Sequence, residues 1–344
     1  MKKSSPIGVL LAQIGTPSAP TAKAVRPYLR RFLSDRRVID YSPLLWQPLL
    51  HGIILTVRPR KSANLYQQIW TEQGSPLLVH SLHQQEGLQQ RLGDGYKVEL
   101  GFAYSKPDIR DAMSRLEAAG AERILVLPLF PQYSSTTTAA VYDAACFAAL
   151  GKSRRYGSSA KRFVPALRLA GAFFDHPGYI RAMQKHLAEQ AGSLARPPER
   201  FVLSFHGIPQ RYADTGDPYP GQCQETAQRL AEAMGWAPEQ WAIAYQSRFG
   251  PEPWLGPTTE EVLRSFTQRD AERTMVFAPG FAADCLETIY ELGVEARHNL
   301  MSKAGDNLNT SPAEFQLAPC LNAHPAWLDF LADFARDSTA GWEK

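Results

Sequence analysis

The sequence predicts an α/β chain of two similar halves, each a four-stranded parallel sheet flanked by helices. Three observations carry that prediction. Eight short runs of β-prone residues are continuously apolar rather than alternating, as strands covered on both faces must be. Helix-length stretches separate them, the alternation of a parallel sheet. The order of elements then repeats. DHPGYI from Asp175 returns as AHPAWL from Ala323, an offset of 324 − 176 = 148.

In chain order the strand candidates of the first half are IGVLLAQI from Ile7, KVELGFAY from Lys97, RILVLPLF from Arg123 and RFVPALRL from Arg162. Those of the second are FVLSFHG from Phe201, WAIAYQS from Trp241, RTMVFAPGF from Arg273 and EFQLAPCL from Glu314. The third and fourth starts keep the offset: 273 − 123 = 150 and 314 − 162 = 152. The first pair of starts is 97 − 7 = 90 residues apart in the first half and 241 − 201 = 40 in the second. The first half, 1–172, therefore carries an insertion at about 38–80, and the second half is 173–344. In a doubly wound sheet such an insertion emerges at the C-terminal ends of the strands, where ligands bind. It contains YSPLLWQPLLHGIILTV, Tyr41 to Val57, without one Lys, Arg, Asp or Glu. Two prolines and a length below the roughly 20 residues of a spanning helix make it a half-buried helical piece or an apolar lip touching ligand or membrane surface.

Composition narrows the function classes. The chain has 344 residues, 44% hydrophobic and 21% charged, with a net charge of +3, which suits a globular protein with a large core. No block of Lys or Arg points to nucleic acid. Cys146, Cys223, Cys285 and Cys320 lie far apart, so neither a zinc ribbon nor a disulfide framework is expected. The opening apolar run reaches a Gly-Thr-Pro turn within a few residues, so it reads as a strand and not as a signal peptide.

Chemistry concentrates in the second half. In FVLSFHGIPQR an apolar strand ends at His206, so the imidazole projects at the sheet's ligand edge, as a metal ligand or a base near neutral pH. In RTMVFAPGFAADCLETIYELGVEARHNL, Asp284, Glu287, Glu291 and Glu295 follow one another at spacings of 3, 4 and 4 along one helix face. That row is either a solvated acidic surface or a conduit carrying cations inward or protons outward. The hydroxyl-rich LPLFPQYSSTTT offers helix caps or ligand contacts. Trp254 in a Gly/Pro-rich loop suits a flat ligand, and Arg58 and Lys61 after the apolar segment suit ligand carboxylates.

These phrases resemble ferrochelatase, the family that inserts Fe(II) into porphyrin late in haem synthesis. The resemblance runs nearly end to end: IGVLLAQIGTP, IWTEQGSPL, LPLFPQYSSTTT, LSFHGIPQRY, YQSRFGPEPWLGPTTEE, APGFAADCLETIYELG and APCLNAHPAWL. It implies two Rossmann-like (chelatase) halves facing a porphyrin cleft. It places the catalytic and metal-handling pair on His206 and Glu287, and the proton/metal conduit on Asp284, Glu291 and Glu295. Porphyrin contacts fall on Ile14, Tyr104, Tyr133, Ser134, Thr136 and Trp254, with Arg58 and Lys61 near the propionates. The chain departs from the pattern at Gln13, where the opening motif often has Asn, at Phe130, where many members carry Tyr, and at Ala103, where some carry Arg. A [2Fe–2S] cluster needs cysteines gathered near the C-terminus, and only Cys320 lies in the last 344 − 285 = 59 residues, so none is expected.

The resemblance thus implies iron insertion into protoporphyrin IX to make protohaem, with porphyrin and Fe(II) as substrates and no prosthetic group. The alternatives are a coproporphyrin III chelatase, a chelatase for another metal, and a non-catalytic porphyrin or haem carrier. The expected compartment is the cytoplasm, with peripheral contact at the inner membrane face through 41–57. A monomer is compatible with the sequence. Which of His206 and Glu287 is base and which is metal ligand stays open.

Overall fold

The structure is a computed structural model and describes residues 5–151, 161–267, 273–299 and 314–342. Each predicted run holds one strand. In the first half these are β1 (Ile7–Gln13), β2 (Tyr96–Phe102), β3 (Arg123–Pro128) and β4 (Ala166–Leu169); in the second, β5 (Arg200–His206), β6 (Trp241–Gln246), β7 (Arg273–Phe277) and β8 (Glu314–Leu317). The sheets have the orders β2-β1-β3-β4 and β6-β5-β7-β8, and every pair is parallel. The two halves thus share one topology, strand for strand. One run is shorter than expected. Pro165 lacks an N–H for the ladder, and pairing starts at the next residue, where Ala166 N donates to Glu122 O at 2.8 Å.

The repetition extends to the turns. Phe102 N donates to Pro107 O at 2.7 Å, and Tyr245 N to Pro257 O at 2.9 Å. The following residues, Asp108 and Thr258, each accept a bond from three residues on, and each precedes a helix: Ile109–Ala118 and Thr259–Thr267. Gln13 pairs with Phe102 and Phe205 with Tyr245, so Gln13 corresponds to Phe205 and Ile14 to His206. The repeated His-Pro phrase is a cap in both places. His176 Nδ1 accepts from Gly178 N at 3.0 Å and His324 Nδ1 from Ala326 N at 3.3 Å, opening the helices Pro177–Gly192 and Pro325–Ser338.

Two compact units result: Met1–Phe130, Ser134–Gly171 and Leu328–Lys344 form one, and Pro131–Tyr133 and Ala172–Trp327 the other. The expected 173–344 thus does not remain together as one packing unit, because its last helix carries Leu328 onto Gly87. A Cβ on Gly87 would come within 2.5 Å of the end of the Leu328 side chain, so the glycine lets that side chain lie close against the helix without shifting. Tyr96 and Thr339 share a buried hydroxyl–hydroxyl bond of 2.9 Å in the same unit. The first core gathers Leu10, Met113, Leu116, Ile124, Val126 and Val141. The second gathers Val202, Leu263, Val276, Leu292 and Phe315. Fully burying each such side chain is worth about 1.5–3 kcal/mol.

The insertion has two parts. Helix Pro76–Leu92 covers the outer edge of β2. Gln85 and Gln89 donate to the carbonyls of Val98 and Tyr96, both at 3.0 Å, and Val98 N returns a 2.8 Å bond to Gln89, so glutamines satisfy an otherwise bare strand edge. The apolar segment forms helix Pro43–Leu49, a π turn at Leu50–Ile54 and helix Leu55–Ile69. Its inner face buries Trp46, Leu50 and Leu55, with Trp46 Nε1 donating to Leu33 O at 2.7 Å. Its outer face leaves Leu45, Leu49, Ile53 and Val57 exposed in a stripe at intervals of four, with Leu44 beside it at 86% exposure. The segment is therefore helical and half-buried, with an exposed apolar face. No helix among the described residues is long and apolar enough to cross a membrane.

Candidate functional site

The second unit brings most of the predicted chemistry to one edge of its sheet. His206 ends β5, opposite Gln246 of β6. Its Nδ1 lies 2.5 Å from Gly207 O. Only a protonated Nδ1 can donate to a carbonyl, so in the neutral ring Nε2 keeps its lone pair for a proton or a metal. Gly207 N bonds Gln246 O at 2.8 Å and fixes the strand end. A Cβ at Gly207 would meet Gln246 O at 3.0 Å and the Trp254 ring at 3.2 Å, so the missing side chain lets the indole close on the backbone beside the imidazole. Bonds of Gln210 N to Pro253 O (2.9 Å) and Leu255 N to Ile208 O (3.1 Å) tie the Trp254 loop to the same turn. Phe281 lies 6.4 Å from His206 between ring centroids.

β5 is paired with β7, and the chain leaving β7 reaches the acidic helix through Ala278–Gly280. The helical segment Glu287–Ala296 is a π-helix rather than an α-helix. In an i→i+5 coil a step of four residues falls just short of a turn, whereas in an α-helix it overshoots, so Glu287, Glu291 and Glu295 stay on one side either way. Exposure rises along the row: Asp284 is buried, Glu287 and Glu291 are half-buried and Glu295 is exposed.

Asp284 differs from the other three. Its carboxylate accepts from Asn322 Nδ2 at 2.7 Å, Thr288 Oγ1 at 2.9 Å and Cys320 N at 3.2 Å. These donors hold the helix start against the loop after β8, which suits a structural tie better than a carrier. Burial and the neighbouring Asp284 carboxylate push the Cys320 thiol above its ordinary range, and burial followed by Glu287 does the same to Cys285. Both stay as neutral thiols. Among the described residues, no three His, Cys, Asp or Glu side chains are gathered to hold a metal ion.

The remaining predicted residues distribute as follows. Tyr133, half-buried, belongs to the second unit, its N–H bonded to Gln222 Oε1 at 2.7 Å. In the first unit Ser134 is buried and shares a 2.9 Å bond with Thr136 Oγ1. Ile14 is half-buried, its carbonyl accepting from Tyr104 N at 3.1 Å. Arg58 is half-buried and Lys61 exposed. Tyr104 is buried and its hydroxyl donates to Asp35 Oδ2 at 2.7 Å; burial, then the Asp35 charge, raises its pKa well above the ordinary value. That phenol is engaged with Asp35 and stays protonated.

A family model for ferrochelatase matches residues 6–339. The chain belongs to the ferrochelatase family. It is 42% identical to "Ferrochelatase 1" of Shewanella oneidensis over 99% of both chains. It is also 42% identical to a ferrochelatase of Yersinia enterocolitica, over 97% of this chain and 98% of that one. Among solved structures it is similar to SirB from Bacillus subtilis with Fe3+, at a TM-score of 0.55 and 13% identity over 98% of this chain and 97% of that one, a likeness of fold alone. Ferrochelatases are metal-inserting lyases, and iron insertion into porphyrin to make protohaem is the family's function. Beyond the glycine turn after His206 that the sequence shows, the structure adds Gln246, Ser247 and Phe281 to the site. Gln246 was legible as the partner of a strand-end histidine in a parallel pair. Ser247 and Phe281 owe their places to backbone conformation and ring packing, which no local pattern encodes.

Proposed function

We propose that this chain inserts Fe(II) into protoporphyrin IX in the cytoplasm, with His206 and Glu287 as the pair that takes up an inner N–H proton and hands over the metal. The observation that carries the reading is the bond between His206 Nδ1 and Gly207 O, which reserves Nε2 for chemistry at the end of β5. Free-base porphyrin carries two inner N–H protons, and both must leave as the pyrrole nitrogens take the ion. Neutral imidazole accepts such a proton near neutral pH. Imidazole and carboxylate also bind ferrous iron, and a delivering site with few protein ligands releases its metal. A macrocycle bent out of plane turns its nitrogen lone pairs toward the ion, and aromatic side chains favour holding one.

Porphyrin contacts are assigned to Ile14, Arg58, Lys61, Tyr104, Ser134 and Thr136 of the first unit and to Tyr133 and Trp254 of the second. Tyr104 acts there through its ring, because its hydroxyl is given to Asp35. Ile14, the counterpart of His206 in the repeat, offers apolar surface just beyond the end of β1. Glu291 and Glu295 carry protons outward, and Asp284 anchors the row. The exposed stripe Leu45, Leu49, Ile53 and Val57 favours the more apolar protoporphyrin over coproporphyrin III and favours peripheral contact with a membrane surface.

The test is a spectroscopic insertion assay with Fe2+ and each porphyrin, on wild type and on His206→Ala. Faster protohaem formation that depends on His206 supports the reading. Equal or faster turnover of coproporphyrin III overturns the substrate assignment. Tight porphyrin binding without insertion by wild type would mark a carrier.

A further inference from the structure

Ser247 follows β6 directly and has φ of 66°, in the left-handed region where side chains are disfavoured and glycine is at home. The same loop uses glycine for a positive φ at Gly250. The chain keeps serine at 247, and the Ser247 hydroxyl donates to Glu291 Oε2. A non-glycine residue persists in that conformation when its surroundings hold it there, and such residues gather at working sites. The surroundings here are firm. Tyr245 N is bonded to Pro257 O, Gln246 O to Gly207 N, and Gln246 Oε1 accepts from Ser204 Oγ at 2.8 Å. Ser247 therefore leaves a fixed strand end on the residue paired with His206 and reaches across to the middle of the acidic row.

We propose that Ser247 is a positioning residue for the insertion reaction: its hydroxyl holds the Glu291 carboxylate in the one orientation from which the acidic row relays protons. The inference rests on the reading of that row as a proton path. A charge-assisted bond to a half-buried carboxylate fixes its oxygens and keeps the distances along a relay constant rather than averaged. The left-handed backbone aims the short side chain at the helix. Glycine would satisfy the backbone better but would leave the carboxylate unheld.

That difference supplies the test, made on the full chain. Ser247→Gly removes the hydroxyl while relieving the backbone, so its melting temperature stays level or rises. Its kcat for Fe2+ insertion is expected to fall about tenfold, with KM for Fe2+ and affinity for porphyrin within about twofold of wild type. Ser247→Asn tolerates the same backbone region and keeps a donor, and recovers most of the loss. Glu291→Gln lowers kcat alone, and adding Ser247→Gly to it costs nothing further. Wild-type kcat in Ser247→Gly beside an impaired Glu291→Gln overturns the positioning role and leaves the proton path standing. So do additive losses in the double variant, or a Ser247→Gly that loses stability but not turnover. Wild-type kcat in Glu291→Gln overturns the proton path and the positioning role together.

Discussion

Asp284 Oδ1 lies 3.2 Å from the backbone N–H of Cys320, and this contact closes the loop after β8 onto the first turn of the acidic helix. With Asn322 and Thr288 also donating to it, the carboxylate is a buried acceptor that other groups depend on. Asp284→Ala leaves those donors without a partner and is expected to cost about 2–4 kcal/mol of stability. Thermal or urea unfolding checks this. An unchanged midpoint would return Asp284 to the conduit.

The approach of Trp254 to Gly207 predicts a different kind of loss. A Cβ at residue 207 meets backbone at 3.0 Å and the indole at 3.2 Å, so Gly207→Ala displaces Trp254 and not the core. Porphyrin affinity is expected to drop about tenfold, roughly 1.4 kcal/mol, while unfolding moves by less than about 1 kcal/mol. Quenching of tryptophan fluorescence by porphyrin measures the first quantity. Unaltered affinity contradicts the role given to the indole.

The exposed lip separates binding from stability. Leu44 and Leu45 are 86% and 77% exposed, so replacing both with serine removes little packing and should shift stability by no more than about 0.5 kcal/mol. Porphyrin affinity, by titration, is expected to weaken several-fold. The buried Trp46 and Leu50 of the same segment are left in place. Unchanged affinity would make the stripe irrelevant to the substrate.

Burial holds the His186 imidazole below its ordinary value of 6.5, outweighing the 2.8 Å bond between Nε2 and Pro319 O. The unfolded chain takes up this proton as pH falls through about 6.5, while the folded chain resists until its lower pKa is reached. Stability is therefore complete above the unfolded value and declines as pH falls between the two. The expected result is a melting temperature that drops as pH falls below about 6.5, with a shallower slope in His186→Gln. Equal slopes would show that the other carboxylates and histidines account for the whole effect.

Much of the fold is legible because it rests on one-dimensional signals. Continuous apolar runs place all eight strands, and the His-Pro phrases mark the same cap twice. Pro165 shortens β4 for a reason visible in its own residue type. Other features depend on tertiary packing. The approach of Leu328 to Gly87, which takes the last helix into the first unit, joins residues far apart in sequence. The π winding of Glu287–Ala296 leaves the spacing of its glutamates unchanged and so gives no sign in the sequence. Residue types and strand ends point to His206 and the acidic row. The saturation of Asp284, the engagement of Tyr104 by Asp35 and the left-handed Ser247 need coordinates.

The central claim is that His206 Nε2 is the working atom of this site. Single-turnover metallation of bound protoporphyrin by Fe2+, followed by absorbance in wild type and in His206→Ala, tests it most directly. The account predicts that the variant binds porphyrin normally, unfolds at the wild-type temperature and inserts iron at least about a hundredfold more slowly. Insertion at near wild-type speed by a folded, porphyrin-bound His206→Ala would contradict it.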